Sequence, residues 1–300
     1  MASPESLMVK QFLKAQSTGQ GQSAAAEFSI EAARQGLEML SALTPDVSDV
    51  QVEKTTIEGI PAEWVSAPNA KADRVFLYLH GGAYIMGSCN THRYLASKLS
   101  FSTEARVLVP EYRLAPEHPF PAALEDALHA YHWLCSSGYQ PENIIIGGDS
   151  AGGGLTMSTL LTLKENGEPL PAVAVLISPW TDLAGTGESM ETRKEADPWL
   201  SPNLTLEVPV MYLREIDPKN PIVSPIYADL SGLPPMIVHV GNDEILLDDS
   251  TRLVDRARSA GADVTFKIWE DMWHVFQTFT IPEGQQSIDE IGEFVKSKLR

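Results

Sequence analysis

Along the first 45 or so residues, apolar positions recur at helical spacing: Met8, Phe12 and Leu13, then Ala33, Leu37, Leu40 and Leu43, interrupted by the Gly/Ser/Gln-rich stretch 17–23. This spacing predicts amphipathic helices lying outside any sheet. From about residue 50 the pattern changes. Two short β-rich runs, 51–58 and 61–67, meet at Gly59-Ile60-Pro61 and predict an antiparallel hairpin. Compact apolar runs follow at 74–79, 106–110, 143–147, 172–177, 235–240 and 263–269. Continuous rather than alternating hydrophobicity predicts strands buried on both faces, as in parallel sheets. Helical stretches near 91–102, 121–137, 152–166, 245–261 and 285–299 separate them. The alternation predicts an α/β fold, a three-layer sandwich. The interval 183–230, rich in Pro and acidic residues and carrying Trp199, breaks the rhythm and predicts irregular and helical segments above the sheet.

A chain of 300 residues fits one catalytic domain with an added segment. Its net charge of −18 repels phosphate backbones and anionic headgroups, so neither nucleic acid nor membrane is an expected partner. Met1 to Lys14 lacks the basic start and apolar run of a secretory leader, and no stretch has the length of a membrane span; a cytoplasmic protein is expected. Cys89 and Cys135 form neither a disulfide framework nor a metal-ligand spacing, so no metal site is expected.

Candidate chemistry begins at Asn143-Ile144-Ile145-Ile146-Gly147-Gly148-Asp149-Ser150-Ala151-Gly152-Gly153-Gly154, a buried strand feeding G-x-S-x-G and then a helix. In that context the motif predicts a nucleophile elbow with Ser150 at a strained turn, flanked by Gly148 and Gly152 where bulk has no room. The dinucleotide spacing G-x-G-x-x-G is not matched. Upstream, His80-Gly81-Gly82-Ala83-Tyr84 follows a strand and nearly matches H-G-G-G, a loop that offers backbone N–H groups to an oxyanion. Gly81 and Gly82 are the expected donors, with Ala151 at the helix start as the third.

Of seven histidines, only His239 and His274 follow Ser150, as the chain order Ser, acid, His requires. His239 sits inside an apolar run and reads as a core residue. His274 follows the last strand, at the sheet edge where open α/β sheets bind ligands, and is the expected base. Gly241-Asn242-Asp243-Glu244 supplies two candidate acids. Asp243, first after the strand, is preferred, with Glu244 left open. Asp182 reads as a brace for the irregular segment.

Together with Glu111-Tyr112-Arg113-Leu114-Ala115-Pro116-Glu117, these motifs make the chain from about residue 50 onward resemble the hormone-sensitive-lipase family, specifically its bacterial (family IV) esterases. The resemblance implies an α/β-hydrolase with a mostly parallel eight-stranded sheet and a helical cap. The cap would be residues 1–45 plus about 183–215, and the catalytic domain 46–182 and 216–300. It implies hydrolysis of small acyl esters without cofactor or metal, and a homodimer in many members. Ala83 in place of the third loop glycine, Glu111 in place of an Asp, and Asp243-Glu244 in place of Asp-Pro-Leu depart from the family pattern. Arg113 is expected to pair with Glu111 or Glu117 in bracing the oxyanion loop.

The expected function is that of a serine carboxylesterase acting on short- to medium-chain esters through an acyl-enzyme. Tyr84, Trp180, Trp199 and Leu200, beside the motifs, are candidate pocket residues. The same constellation would also serve a lactonase, an amidase or a deacetylase, and the fold also hosts non-catalytic ligand receptors.

Overall fold

In the computed structural model, residues 2–20, 29–42, 44, 45, 47 and 49–299 are described. The chain forms α1 (Pro4–Gln20), α2 (Ile30–Ser41), β1 (Gln51–Ile57), β2 (Ile60–Ser66), β3 (Lys71–Leu79), α3 (Cys89–Thr103), β4 (Ala105–Pro110) and α4 (Ala122–Ser136). It continues through β5 (Ile144–Asp149), α5 (Ala151–Glu165), β6 (Val173–Ile177), α6 (Ser189–Thr192), α7 (Pro202–Leu213), β7 (Met236–Gly241), α8 (Leu247–Ser259), β8 (Val264–Trp269) and α9 (Pro282–Lys298). Helix α1 runs into the stretch expected to break it; Leu43 and residues 21–28 lie outside the described residues.

The strands form one eight-stranded sheet in the order β1-β2-β4-β3-β5-β6-β7-β8. The expected hairpin pairs β1 with β2, its turn made by Glu58 and Gly59 at φ 46° and 101°, the region glycine adopts without strain. Strand β2 is antiparallel to β4, and every pairing from β4 through β8 is parallel.

Side chains alternate across β3: Val75, Leu77 and Leu79 enter one core, and Phe76 and Tyr78 the other. The first core is covered by residues such as Ala127, Leu134, Leu155 and Leu253 of α4, α5 and α8. Leu95, Leu99, Ile288, Ile291 and Val295 of α3 and α9 cover the second. Each large apolar side chain so buried contributes about 1.5–3 kcal/mol before the cost of ordering it. With both faces covered, the central strands read as unbroken apolar runs.

This topology also locates a crevice. From β3 the chain steps out to β4 through α3, then returns across β3 to β5. Helices α3 and α5 lie on opposite faces, so the loops leaving β3 and β5 diverge, and ligands bind at such switch points in open α/β sheets. The H-G-G-A loop follows β3, and Ser150 follows β5.

Candidate active site

Ser150 joins β5 to α5 with φ 54° and ψ −122°, a conformation no helix or strand residue adopts. Three backbone hydrogen bonds hold it there: its N–H donates to Ile177 O at 2.9 Å, and its carbonyl accepts from Gly154 N at 3.1 Å and Trp180 N at 2.9 Å. A Cβ at Gly148 would lie 2.1 Å from Leu79 O, and one at Gly152 would lie 1.9 Å from Leu79 O and 2.6 Å from His80 O. The turn therefore packs directly against the end of β3, and only glycine admits the contact.

The loop after β3 is turned by consecutive positive φ angles at Gly82 (123°), Ala83 (55°) and Tyr84 (61°). Gly81 does not fit the donor role expected of it, because its N–H donates to Oδ1 of Asp149 at 3.0 Å. Among the described residues, the N–H groups of Gly82 and Ala83 have no protein acceptor. The N–H of Ala151, first residue of α5, has none either, as at any helix N-terminus without a cap. The loop after β3 and the start of α5 thus offer free N–H donors at Gly82, Ala83 and Ala151. Ala83, expected as a mere departure from the glycine pattern, tolerates the left-handed backbone that the loop demands.

Asp149 anchors that loop from behind. Its Oδ1 also accepts from Tyr78 Oη at 2.5 Å, and its Oδ2 lies 3.4 Å from His92 Nε2, both side chains being buried. Burial pushes the Asp149 carboxyl up, but the His92 charge and hydrogen bonds from His92, Tyr78 and Gly81 outweigh it and hold the pKa below the usual value. His92 loses affinity for its proton through burial and regains more from Asp149, ending above the ordinary histidine value. This is a buried ion pair beneath the loop. His80 is instead neutral, pushed down to about 3 by burial, and stacks on Tyr112 with ring centroids 4.1 Å apart.

His274 is 4% exposed, and its Nδ1 lies 2.9 Å from Oε2 of Glu244. The carboxylate that meets His274 is Glu244, the residue left open in the sequence, and not Asp243, the one preferred there. After β7, the N–H groups of Asn242 and Asp243 bond to Trp269 O and Met272 O, and this turn aims the Asp243 side chain outward, where it pairs with Lys10 of α1. The next residue points inward, and the extra methylene of Glu carries its carboxylate to the histidine. Glu244 is fully buried; its Oε1 accepts from Ser178 Oγ at 2.7 Å and Gly241 N at 2.5 Å. Ser178 Oγ in turn accepts from Val275 N at 3.2 Å, so one hydroxyl ties acid and histidine loop together. Burial lowers the His274 pKa, but the hydrogen bond to Glu244, its charge, and those of Asp197 and Asp149 raise it above the ordinary value.

The four candidate pocket residues separate into two groups. Tyr84 and Trp180 are almost wholly buried, with centroids 6.3 Å apart; Tyr84 stacks on Tyr212 of α7 at 3.9 Å. The Trp199 ring meets His274 edge-on, with centroids 6.4 Å apart. Leu200, half-buried, packs on the core at the start of α7. His239 is a core residue, with Nδ1 bonded to Ser287 Oγ at 2.8 Å. Asp182 braces its loop by accepting from Ala184 N, Thr186 N and Arg252.

Arg113 pairs with Asp126 and Glu125, one turn into α4, rather than with Glu111 or Glu117. Glu117 is taken by Arg34 of α2, whose Nε also donates to Ile85 O at 2.7 Å. In the same helix Glu38 accepts from Ser88 Oγ and Asn90 Nδ2. Helix α2 therefore sits on the segment just after the H-G-G-A loop, and α1 on the loop after β7.

Ser178, Asp197, His92 and Lys10 have no motif to announce them; each matters through a partner distant in sequence. Asp149 lay inside a recognised motif, but only the folded loop shows what it binds. No cluster of three or more potential metal ligands occurs among the described residues.

Residues 76–278 match a family model described as α/β hydrolase fold. An acetyl-hydrolase of Streptomyces hygroscopicus is 39% identical over 300 residues, which is 99% of this chain and 98% of that protein. An esterase of Acinetobacter venetianus is 39% identical over 269 residues, covering 89% of this chain and 88% of that one. The crystal structure of an esterase from the bacterial hormone-sensitive lipase family superposes with a TM-score of 0.93 at 43% identity, covering 100% of both chains. The chain belongs to the α/β-hydrolase fold family, within its hormone-sensitive-lipase branch of carboxylic ester hydrolases.

Proposed function

We propose that the protein hydrolyses short- to medium-chain acyl esters through an acyl-enzyme on Ser150, with His274 as base and Glu244 as the acid that orients it. The observation that carries this reading is the buried Glu244–His274 pair at the same sheet edge as the strained Ser150 turn. Glu244 keeps the proton of the neutral imidazole on Nδ1, which leaves Nε2 as the acceptor for the Ser150 hydroxyl proton. As Oγ bonds to the ester carbonyl carbon, that carbonyl's π electrons move onto oxygen, and the N–H groups of Gly82, Ala83 and Ala151 receive the negative charge. The positive end of α5 adds to that field. Collapse expels the alcohol, which takes the proton from His274; water then repeats the sequence and releases the acid.

Helices α1 and α2 with the 183–215 segment act as a cap that bounds the substrate side. Tyr84 and Trp180 line its inner wall and Trp199 covers the histidine. Close aromatic packing of Tyr84 against Trp180 and Tyr212 supports a preference for short acids. An acetyl-hydrolase among the relatives supports the same size class.

A series of p-nitrophenyl esters from acetate to palmitate, assayed with the wild type and Ser150→Ala, tests this reading. Turnover falling off beyond medium chains and vanishing in the variant is expected. Turnover retained by Ser150→Ala, or confined to the longest chains, would reject it.

A further inference from the structure

Asp197 lies between α6 and α7, 7% exposed, with its carboxylate satisfied by main-chain groups from two separate segments. Oδ1 accepts from Trp199 N and Leu200 N, each at 2.9 Å. Oδ2 accepts from Ile245 N at 3.0 Å, the residue immediately after Glu244. The Trp199 ring fixed by the first pair of bonds is the one that stands against His274. A single side chain therefore ties the turn whose Trp199 ring meets His274 to the residue that follows Glu244, from a segment that carries neither His274 nor Glu244.

A neutral acceptor would be a cheaper tie, since a buried carboxylate must be stabilised by its surroundings. Its burial here is compensated by three N–H donors and by the nearby imidazole. Even so, burial pushes its pKa up to about 6, against the pull of His274 and those N–H groups. The charged groups that face His274 are Glu244 from the loop after β7, Asp149 from the end of β5, and Asp197 from above.

We propose that Asp197 is a positioning residue for ester hydrolysis: it fastens the Trp199–Leu200 turn to the Glu244 loop and adds a further negative charge beside His274, so that seating the upper segment and aligning the acid–base pair are one event. The proposal rests on the assignment of Ser150, His274 and Glu244 made above.

The test uses the full chain with Asp197→Asn, Asp197→Glu and Asp197→Ala, assayed on p-nitrophenyl acetate and butyrate from acid to alkaline pH, with thermal unfolding measured in parallel. Asparagine keeps one acceptor oxygen and loses the charge. It is expected to lower kcat about tenfold with KM within about threefold. The acid limb of kcat/KM then moves to lower pH, because losing an anion favours the neutral imidazole. Glutamate keeps the charge and disturbs the geometry, so kcat falls while the acid limb stays in place. Asp197→Asn with wild-type kcat and an unmoved acid limb, whatever its melting temperature, would overturn the proposal. So would an equal shift of the limb in both variants. If Asp197→Asn does not fold, Asp197→Glu decides, and unchanged kcat there is the contrary result. Failure of the underlying assignment shows separately, as turnover surviving in Ser150→Ala.

Discussion

His274 and Glu244 are joined by a hydrogen bond of 2.9 Å between two buried side chains, while the adjacent carboxylate, Asp243, faces the other way and pairs with Lys10. Two consecutive acidic residues thus face apart: one bonds to the imidazole, and the other fastens the N-terminal helix to the loop that carries the first. Substitution separates them. Glu244→Gln is expected to lower kcat on the order of 10³- to 10⁴-fold, because the amide cannot stabilise the imidazolium. Asp243→Asn should leave kcat within about threefold and cost at most about 1 kcal/mol of stability, as for a partly exposed ion pair. Steady-state kinetics and thermal melts on the two variants give the comparison, and equal losses of kcat would show that the acids are not distinct.

The charges around His274 set the pH dependence. Burial alone would lower its pKa, yet Glu244, Asp197 and Asp149 raise it above the ordinary 6.5. The base works only when neutral, so kcat/KM is expected to rise with pH along a single limb centred above 6.5. Below that limb each unit of pH costs about tenfold. A limb centred below 6.5 would mean that desolvation outweighs the carboxylates.

Ser178 predicts a smaller effect of the same kind. Its hydroxyl donates to Glu244 and accepts from Val275 N, so Ser178→Ala leaves two buried partners each short of a bond. The expected outcome is a roughly tenfold fall in kcat with little change in KM. A change confined to KM would place Ser178 in substrate binding instead.

The ion pair beneath the oxyanion loop carries a stability signature. His92 has a folded pKa above 6.5, so its contribution is complete below 6.5 and is lost as pH rises through the folded value. Asp149 has a folded pKa below 3.8, so its contribution is present above 3.8 and disappears as pH falls through the folded value. Denaturant melts should therefore show His92→Gln destabilising the protein more at about pH 6 than at about pH 9. A penalty independent of pH would mean that His92 is neutral throughout.

Much of this site was legible before folding, for a physical reason. The strand runs, the G-x-S-x-G turn at Ser150 and the late His274 are local patterns, fixed by burial periodicity and by steric demands on neighbouring residues. The choice between Asp243 and Glu244 is not local: it depends on how Asn242 and Asp243 bond to the last residue of β8 and the turn after it, Trp269 and Met272, far along the sequence. The fate of the Gly81 N–H is non-local too, since Asp149, on the neighbouring strand, captures it. Arg113 found Asp126 because α4 brings that carboxylate back against the loop, which no spacing within 111–117 reveals.

The proposed reaction requires that Ser150 be acylated with His274 as its base. Intact-protein and peptide mass spectrometry after rapid quenching with p-nitrophenyl butyrate tests it most directly. A butyryl adduct is expected on the peptide bearing Ser150, absent in Ser150→Ala and formed far more slowly in His274→Ala. Hydrolysis at the wild-type rate with no adduct, or an adduct on another residue, would contradict it.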